Sequence, residues 1–246
     1  LQGGNGSLWR FDWIQVETSS TTVYTNGNTR EAVHQLLTAA GFQMAAEIEQ
    51  RPGHGDRLYK RIEAMAASDG CFHSPNYQAI NAARLQHLSQ LPLELEHQSV
   101  LELGSGPGDL TAFWLDRHCC ITSIDARPEN IQAATLKHQA WSQWSGFVYE
   151  LPHKIAPDKT SYDLVVAYGI LYHLEDPLSL LHAVAAMKPL YFILETCVTP
   201  ESITQPSSYP LYRCGEQASN GSQSVTGVGC RPDRRWLWKK LQAIFN

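Results

Sequence analysis

From residue 99 onward, short apolar runs alternate with amphipathic stretches, and the first run breaks into glycine. "SVLEL" at 99–103 leads into "GSGPGDL", with glycine at 104, 106 and 108. A continuous apolar run reads as a strand buried on both faces, and glycines behind it read as a tight turn into a helix. The pattern then repeats. "CITSID" (120–125), "GFVYEL" (146–151), "YDLVVAYG" (162–169) and "LYFILETCV" (190–198) read as strands. "DLTAFWLDR" (109–117), "PENIQAATLKHQ" (128–139) and "DPLSLLHAVAAM" (176–187) read as helices. Pro128 suits a first helical position, and Asp176 suits a cap with Pro177 just inside it. Apolar strands separated by helices specify an α/β chain with a doubly wound parallel sheet covered by helices on both faces.

Ahead of this core, residues 12–17 read as a strand, and 28–42 contain a helix with Val33, Leu36, Leu37 and Ala40 on one face. Asn28 and Glu31 have capping-box spacing, and Gly41 can end the helix. Residues 43–50 read as a second strand, giving a small N-terminal strand–helix–strand unit. "RPGHGDR" at 51–57 is linker-like. The expected division is therefore 1–51, a linker at 52–57, and a main domain at 58–246. Within the main domain, 76–91 reads as a helix with apolar Ile80, Ala83, Leu88 and Leu91. The core spans 99–197, followed by a C-terminal loop and helix at 198–246. Residues 199–232 form a long Pro/Ser/Gly-rich insertion, of the kind that carries function. "RPDRRWLWKKLQAIF" closes the chain as a helix with basic residues along it.

The 246 residues suffice for one α/β domain with additions, and no apolar run approaches the roughly 20 residues that span a bilayer. A net charge of −5 argues against a general nucleic-acid binder. Six cysteines without a C-x-x-C pair read as reduced thiols in a cytoplasmic protein. The spacing of Cys197, Cys214 and Cys230 matches no zinc pattern, so no metal is expected.

The glycine turn leaves two cofactors to weigh. Asp125 ends the next strand about 20 residues on, where a carboxylate accepts the ribose hydroxyls of a nucleotide. A nicotinamide site uses G-x-G-x-x-G against a pyrophosphate, but the sixth position here is Asp109, whose carboxylate would repel it. S-adenosylmethionine carries a sulfonium, an amino group and a carboxylate, with no phosphate. Glu102, two residues before the first glycine, suits that ligand, either through hydrogen bonds to the loop or through the amino group.

With these residues in order, the chain from about 99 to 197 resembles a class I S-adenosylmethionine-dependent methyltransferase, with a Rossmann-like fold. The family's acidic-x-G-x-G-x-G motif corresponds to Glu102–Gly108, and its second acidic residue to Asp125. Its third corresponds to Glu150, and "YDLVVAYGILYHLEDP" (162–177) is very like its fourth-strand segment. The resemblance implies S-adenosylmethionine held by Glu102, Gly104, Ser105, Gly106, Gly108, Asp125, Ala126, Glu150 and Tyr168. Asp163, at the start of a strand, reads as structural. A fold of this family continues with a sixth and a seventh strand. The sequence stops after the closing helix, so those strands are expected to be lacking.

Residues 1–50 resemble the closing part of an FkbM-type methyltransferase domain, without that domain's glycine loop. With its two ends, the chain then reads as a slice of a longer protein. The acceptor is expected to be an oxygen of a saccharide or small metabolite. Alternatives are a tRNA- or RNA-modifying methyltransferase, an NAD-dependent oxidoreductase and a non-catalytic methyltransferase-like module. His173 is the candidate general base, or else a residue that only shapes the pocket. Tyr172 is a candidate wall residue, Glu195 a substrate contact, and Arg231 and Arg234 anion-binding candidates.

Overall fold

The computed structural model describes residues 11, 13–20, 29–61, 69–72, 74–156, 161–199 and 211–245. The chain divides into two compact units, Leu1–Ala64 with Thr135–Ser142, and Met65–Ala134 with Gln143–Asn246.

The first unit is built on an antiparallel sheet. Strands β1 (Trp13–Ser19) and β2 (Phe42–Arg51) flank a central β3 (His54–Arg61). Helix α1 (Arg30–Ala39) packs Val33 and Leu37 with Phe42 and Tyr59. Two expectations are corrected here. Thr29 caps α1, its hydroxyl accepting the Ala32 N–H at 3.3 Å, while Asn28 lies outside the described residues. Residues 52–57 are not a linker, because Pro52 and Gly53 turn β2 directly into β3. The polar run pairs as a strand because its charges find partners across the sheet: Arg57 Nε donates to Glu47 Oε1 at 3.0 Å. The unit is thus strand–helix–strand–strand, and the division by compactness falls after Ala64 rather than near 57.

The second unit holds a parallel sheet of five strands in the order β6-β5-β4-β7-β8. These are β4 (Ser99–Leu103), β5 (Cys120–Asp125), β6 (Trp144–Val148), β7 (Leu164–Tyr168) and β8 (Tyr191–Glu195). Every residue of β7 is buried, as are the last four of β4. Side chains alternate across a strand, so burial of both parities means that both faces are covered. Leu101, Leu103, Val165 and Ala167 share one core with Leu180, Leu181 and Val184 of α6 (Pro177–Ala186) and Leu237 of α7 (Arg234–Phe245). Asp163 is structural, as expected: its Oδ2 accepts the Ser99 N–H at 2.9 Å and the Ser99 hydroxyl at 2.6 Å, tying β4 to β7.

The remaining elements are α2 (Asp69–Phe72), α3 (Pro75–Gln90), α4 (Thr111–Leu115), α5 (Pro128–His138) and the hairpin of β9 (Leu211–Gly215) and β10 (Val228–Pro232). The hairpin replaces part of the expected loop at 199–232, of which 200–210 lie outside the described residues. Arg231 consequently sits on β10 and not on the closing helix. Strand β6 begins two residues before "GFVYEL", where the Trp144 indole donates to the Ser123 hydroxyl at 3.0 Å, so Glu150 falls beyond the strand. No helix among the described residues is long and apolar enough to cross a membrane.

Candidate active site

In an open parallel sheet the crevice forms where neighbouring strands send their connections to opposite sides. Here that point lies between β4 and β7, and a cleft opens beyond their carboxyl ends. Its floor is the glycine turn. Gly104, Gly106 and Gly108 have φ of +68°, +55° and +78°. The backbone N–H groups of Gly104 and Ser105 both donate to Ile124 O, at 2.8 and 3.0 Å, which fastens the turn to β5. At Gly104 a Cβ would lie 2.7 Å from Ile170, so both the φ and the space there require glycine.

Asp125 closes β5 against this turn. Its Oδ2 accepts the Gly106 N–H at 2.9 Å, and its Oδ1 accepts the Arg127 N–H at 2.9 Å and the Asn130 amide at 3.1 Å. Burial raises its pKa, against the pull of those three donors. Oδ1 already accepts two donors and Oδ2 one, so the acceptor position left for a ligand is on Oδ2, since a carboxylate has about four in all. Gly104, Gly106, Asp125, Ala126 and Tyr168 line the cleft together, as the sequence suggests. Glu150, expected in the site, does not line it; its neighbour Leu151 does. Ser105 and Gly108 shape the turn from behind, with the Gly108 N–H donating to Ser105 O at 3.1 Å.

Glu102 is buried behind the turn, on the far face of β4. It bonds neither to the loop backbone nor into the main cleft. Its Oε2 accepts the Thr111 hydroxyl at 2.6 Å and the Ser123 hydroxyl at 2.9 Å. Burial pushes its pKa up to about 7, opposed by those two hydroxyls. A small second cavity places it near Tyr77, Arg84, Ser105 and Asp109.

Tyr172 and His173 lie on a short 3-10 turn (Leu171–His173) after β7, and both line the cleft. The His173 Nδ1 is 2.6 Å from Oε2 of Glu216, a carboxylate only 5% exposed. Burial pulls the His173 pKa down, and Glu216 pulls it back up. Glu195 meets Arg84 instead of facing the cleft: Arg84 Nη2 and Nε donate to its Oε2 at 2.6 and 3.1 Å. Arg231 places its guanidinium 4.8 Å from the Tyr172 ring and 3.5 Å from Glu216 Oε1. Arg234 is not brought to the cleft; as the first residue of α7 it lines a separate groove with Leu237, Trp238 and Leu241.

Several lining residues come from segments that gave no functional signal. Phe72 and Tyr77 stand edge to face, with centroids 4.9 Å apart, and Arg84 joins them from α3. On α3 the face turned inward is Tyr77, Asn81, Arg84 and Leu88, at helical spacing, while Ile80 is 40% exposed. That reverses the expected apolar face, apart from Leu88. Residues 221–225 of the β9–β10 connection form another wall. Arg127 Nη2 donates to Ala218 O at 2.8 Å and to Gln223 O at 3.1 Å, and Asn130 Nδ2 lies 3.3 Å from Gly221 O.

A buried carboxylate thus ends the second core strand and receives an N–H from the glycine turn. Residues 101–188 match the methyltransferase domain family. The matched segment begins on β4 and ends past α6, so it contains the glycine turn, Asp125 and His173 but neither α3 nor the β9–β10 hairpin. Among curated proteins none matches the chain. Similar solved structures include the N-terminal domain of EvdMO1 with S-adenosylhomocysteine bound, at 17% identity, 66% coverage of this chain, 70% of that one and a TM-score of 0.48. Another is the Burkholderia thailandensis 1,6-didemethyltoxoflavin-N1-methyltransferase, at 17% identity, 72% and 69% coverage and a TM-score of 0.43. A third is the N-methyltransferase NodS of Bradyrhizobium japonicum, at 18% identity, 74% and 81% coverage and a TM-score of 0.46.

Proposed function

We propose that the chain transfers a methyl group from S-adenosylmethionine to an oxygen of a small-molecule acceptor. One observation carries the reading: Asp125, buried and lining the cleft, is held by the N–H of the glycine turn and by two donors of the following residues. That arrangement leaves Oδ2 an acceptor position for a ribose hydroxyl, and Gly104 and Gly106 let the backbone come close to the bound molecule. Tyr168 and Ala126 line the same site, and Glu102 supports it from behind through Thr111 and Ser123. The cofactor, when bound, supplies an electrophilic methyl group on a sulfonium.

Phe72, Tyr77 and Tyr172 line the acceptor end with aromatic surface that excludes water and fixes orientation, which are the main demands of such a displacement. His173 takes the acceptor's proton. Lowered in pKa by burial, it is neutral near pH 7 and ready to act as a base. The resemblance of residues 1–50 to an FkbM-type domain tilts the acceptor towards a saccharide. Six free cysteines suit a reducing, cytoplasmic setting.

Calorimetry tests the reading with two probes. S-adenosylhomocysteine is expected to bind and NADH to give no heat. Binding of NADH without S-adenosylhomocysteine would overturn it.

A further inference from the structure

The carboxylate that meets His173 of the cleft comes from a residue far from every motif. Glu216 follows β9 directly, and its N–H donates to Gly227 O at 2.8 Å across the hairpin. Its side chain is turned inward. Oε2 accepts the Ser224 N–H at 2.7 Å and meets His173 Nδ1 at 2.6 Å. Oε1 faces Arg231 at 3.5 Å. The space for this carboxylate exists because residue 229 is glycine: a Cβ there would clash with Glu216 Oε1 and lie 2.7 Å from Tyr172 O. A buried carboxylate is costly unless its oxygens are satisfied, and here three groups from three positions do so. Such a site does not arise from a solvated loop.

We propose that Glu216 is the positioning residue of His173, fixing the imidazole with its proton on Nδ1 and its basic nitrogen at Nε2. This rests on the reading of His173 as the base. A carboxylate on one ring nitrogen sets the tautomer and steadies the cation that forms when the other nitrogen takes a proton. In the proposed step an acceptor O–H bond breaks and an Nε2–H bond forms. Nδ1 keeps its proton, and Glu216 stays ionised. The other charged groups around the ring are Arg231 and Arg84, both of which disfavour the imidazolium. Tyr172 lies against it with its ring tilted by 47° and ring centroids 4.1 Å apart. Glu216 is therefore the group that offsets burial and two cations.

The test needs no acceptor. The ring nitrogens of His173 are followed by long-range proton–nitrogen NMR between about pH 4 and pH 8, with H173Q used to assign the signals. The wild type is expected to show the Nδ1–H tautomer. E216Q keeps an oxygen for Nδ1–H, so it should retain the tautomer but titrate at lower pH. E216A should lose both, turning to the Nε2–H form with a lower midpoint still. Unchanged tautomer and midpoint in E216A would overturn the proposal. S-adenosylhomocysteine calorimetry on the same samples keeps the two claims apart. A wild type that fails to bind it sinks the methyltransferase reading, whatever the imidazole does. Once turnover is measurable, E216A should lower kcat about 10- to 100-fold with little change in the KM for S-adenosylmethionine, and E216Q should recover part of it.

Discussion

Three acidic side chains illustrate how environment separates groups of one chemistry. Asp125 is buried among three N–H donors, Glu102 is buried between two hydroxyls, and Glu216 is buried against an imidazole. Replacing Asp125 with Ala leaves the Gly106 and Arg127 N–H groups without their acceptor and removes the proposed ribose contact. S-adenosylhomocysteine affinity should then fall by about 100-fold, or roughly 3 kcal/mol, in calorimetry. Glu102 makes a prediction about pH. Its folded pKa of about 7 lies above the ordinary 4.5, so the native state holds a proton that the unfolded chain releases. Stability is therefore present in full below the unfolded value and falls as pH rises through the folded one. The change amounts to about 3 kcal/mol. Urea midpoints compared at pH 5 and pH 8 should drop in the wild type by more than in Glu102→Gln. Equal drops would mean that Glu102 ionises as freely as in the unfolded chain. These residues differ in how well the sequence reveals them. Glu102 and Asp125 stand at fixed distances from the glycine turn, so spacing alone identifies them. Glu216 lies more than a hundred residues from that turn, and only the hairpin brings it to His173.

Elements were legible where one periodicity prevailed. Strands β4, β5 and β7 are short apolar runs between turn residues, and α6 has its cap and proline in sequence. Helix α3 misleads for a physical reason: its inward stripe carries Tyr77 and Arg84 into the cleft rather than aliphatic side chains into a core, with half-buried Asn81 between them. A hydrophobic pattern therefore selects the wrong side of the helix. Arg84→Met should lower S-adenosylhomocysteine affinity about 10-fold, since it strips a cation from the cleft and leaves Glu195 unpaired. Leu85→Ala, on the outer side, should leave binding within a factor of about two. Helix α7 behaves as expected, with Leu237 buried in the main core. Leu237→Ala should cost about 2–4 kcal/mol in denaturant unfolding.

At the scale of the whole molecule, the two units carry different burial. Every residue of β7 is buried, whereas in β1 Thr18 alone is buried and the others are exposed or half-buried. Hydrogen exchange should therefore be slowest in β4 and β7 and much faster in β1–β3, because protection follows buried apolar packing. The methyltransferase match spans 101–188, but the cleft also takes walls from Phe72, Tyr77, Arg84 and residues 221–225. The glycine turn and Asp125 stand at motif spacing, whereas these other walls are assembled by tertiary placement and have no local spacing to betray them.

Arg127 and Asn130 also have a consequence in time. Each gives one donor to Asp125 and others to the 218–223 loop, so a single hydrogen-bond set serves both the donor seat and the wall over it. Under the proposed function, a methyl donor seated on Asp125 is expected to enter before the acceptor, and its demethylated product to leave last, after the loop releases those side chains. Product-inhibition kinetics should show S-adenosylhomocysteine competing with S-adenosylmethionine and not with the acceptor.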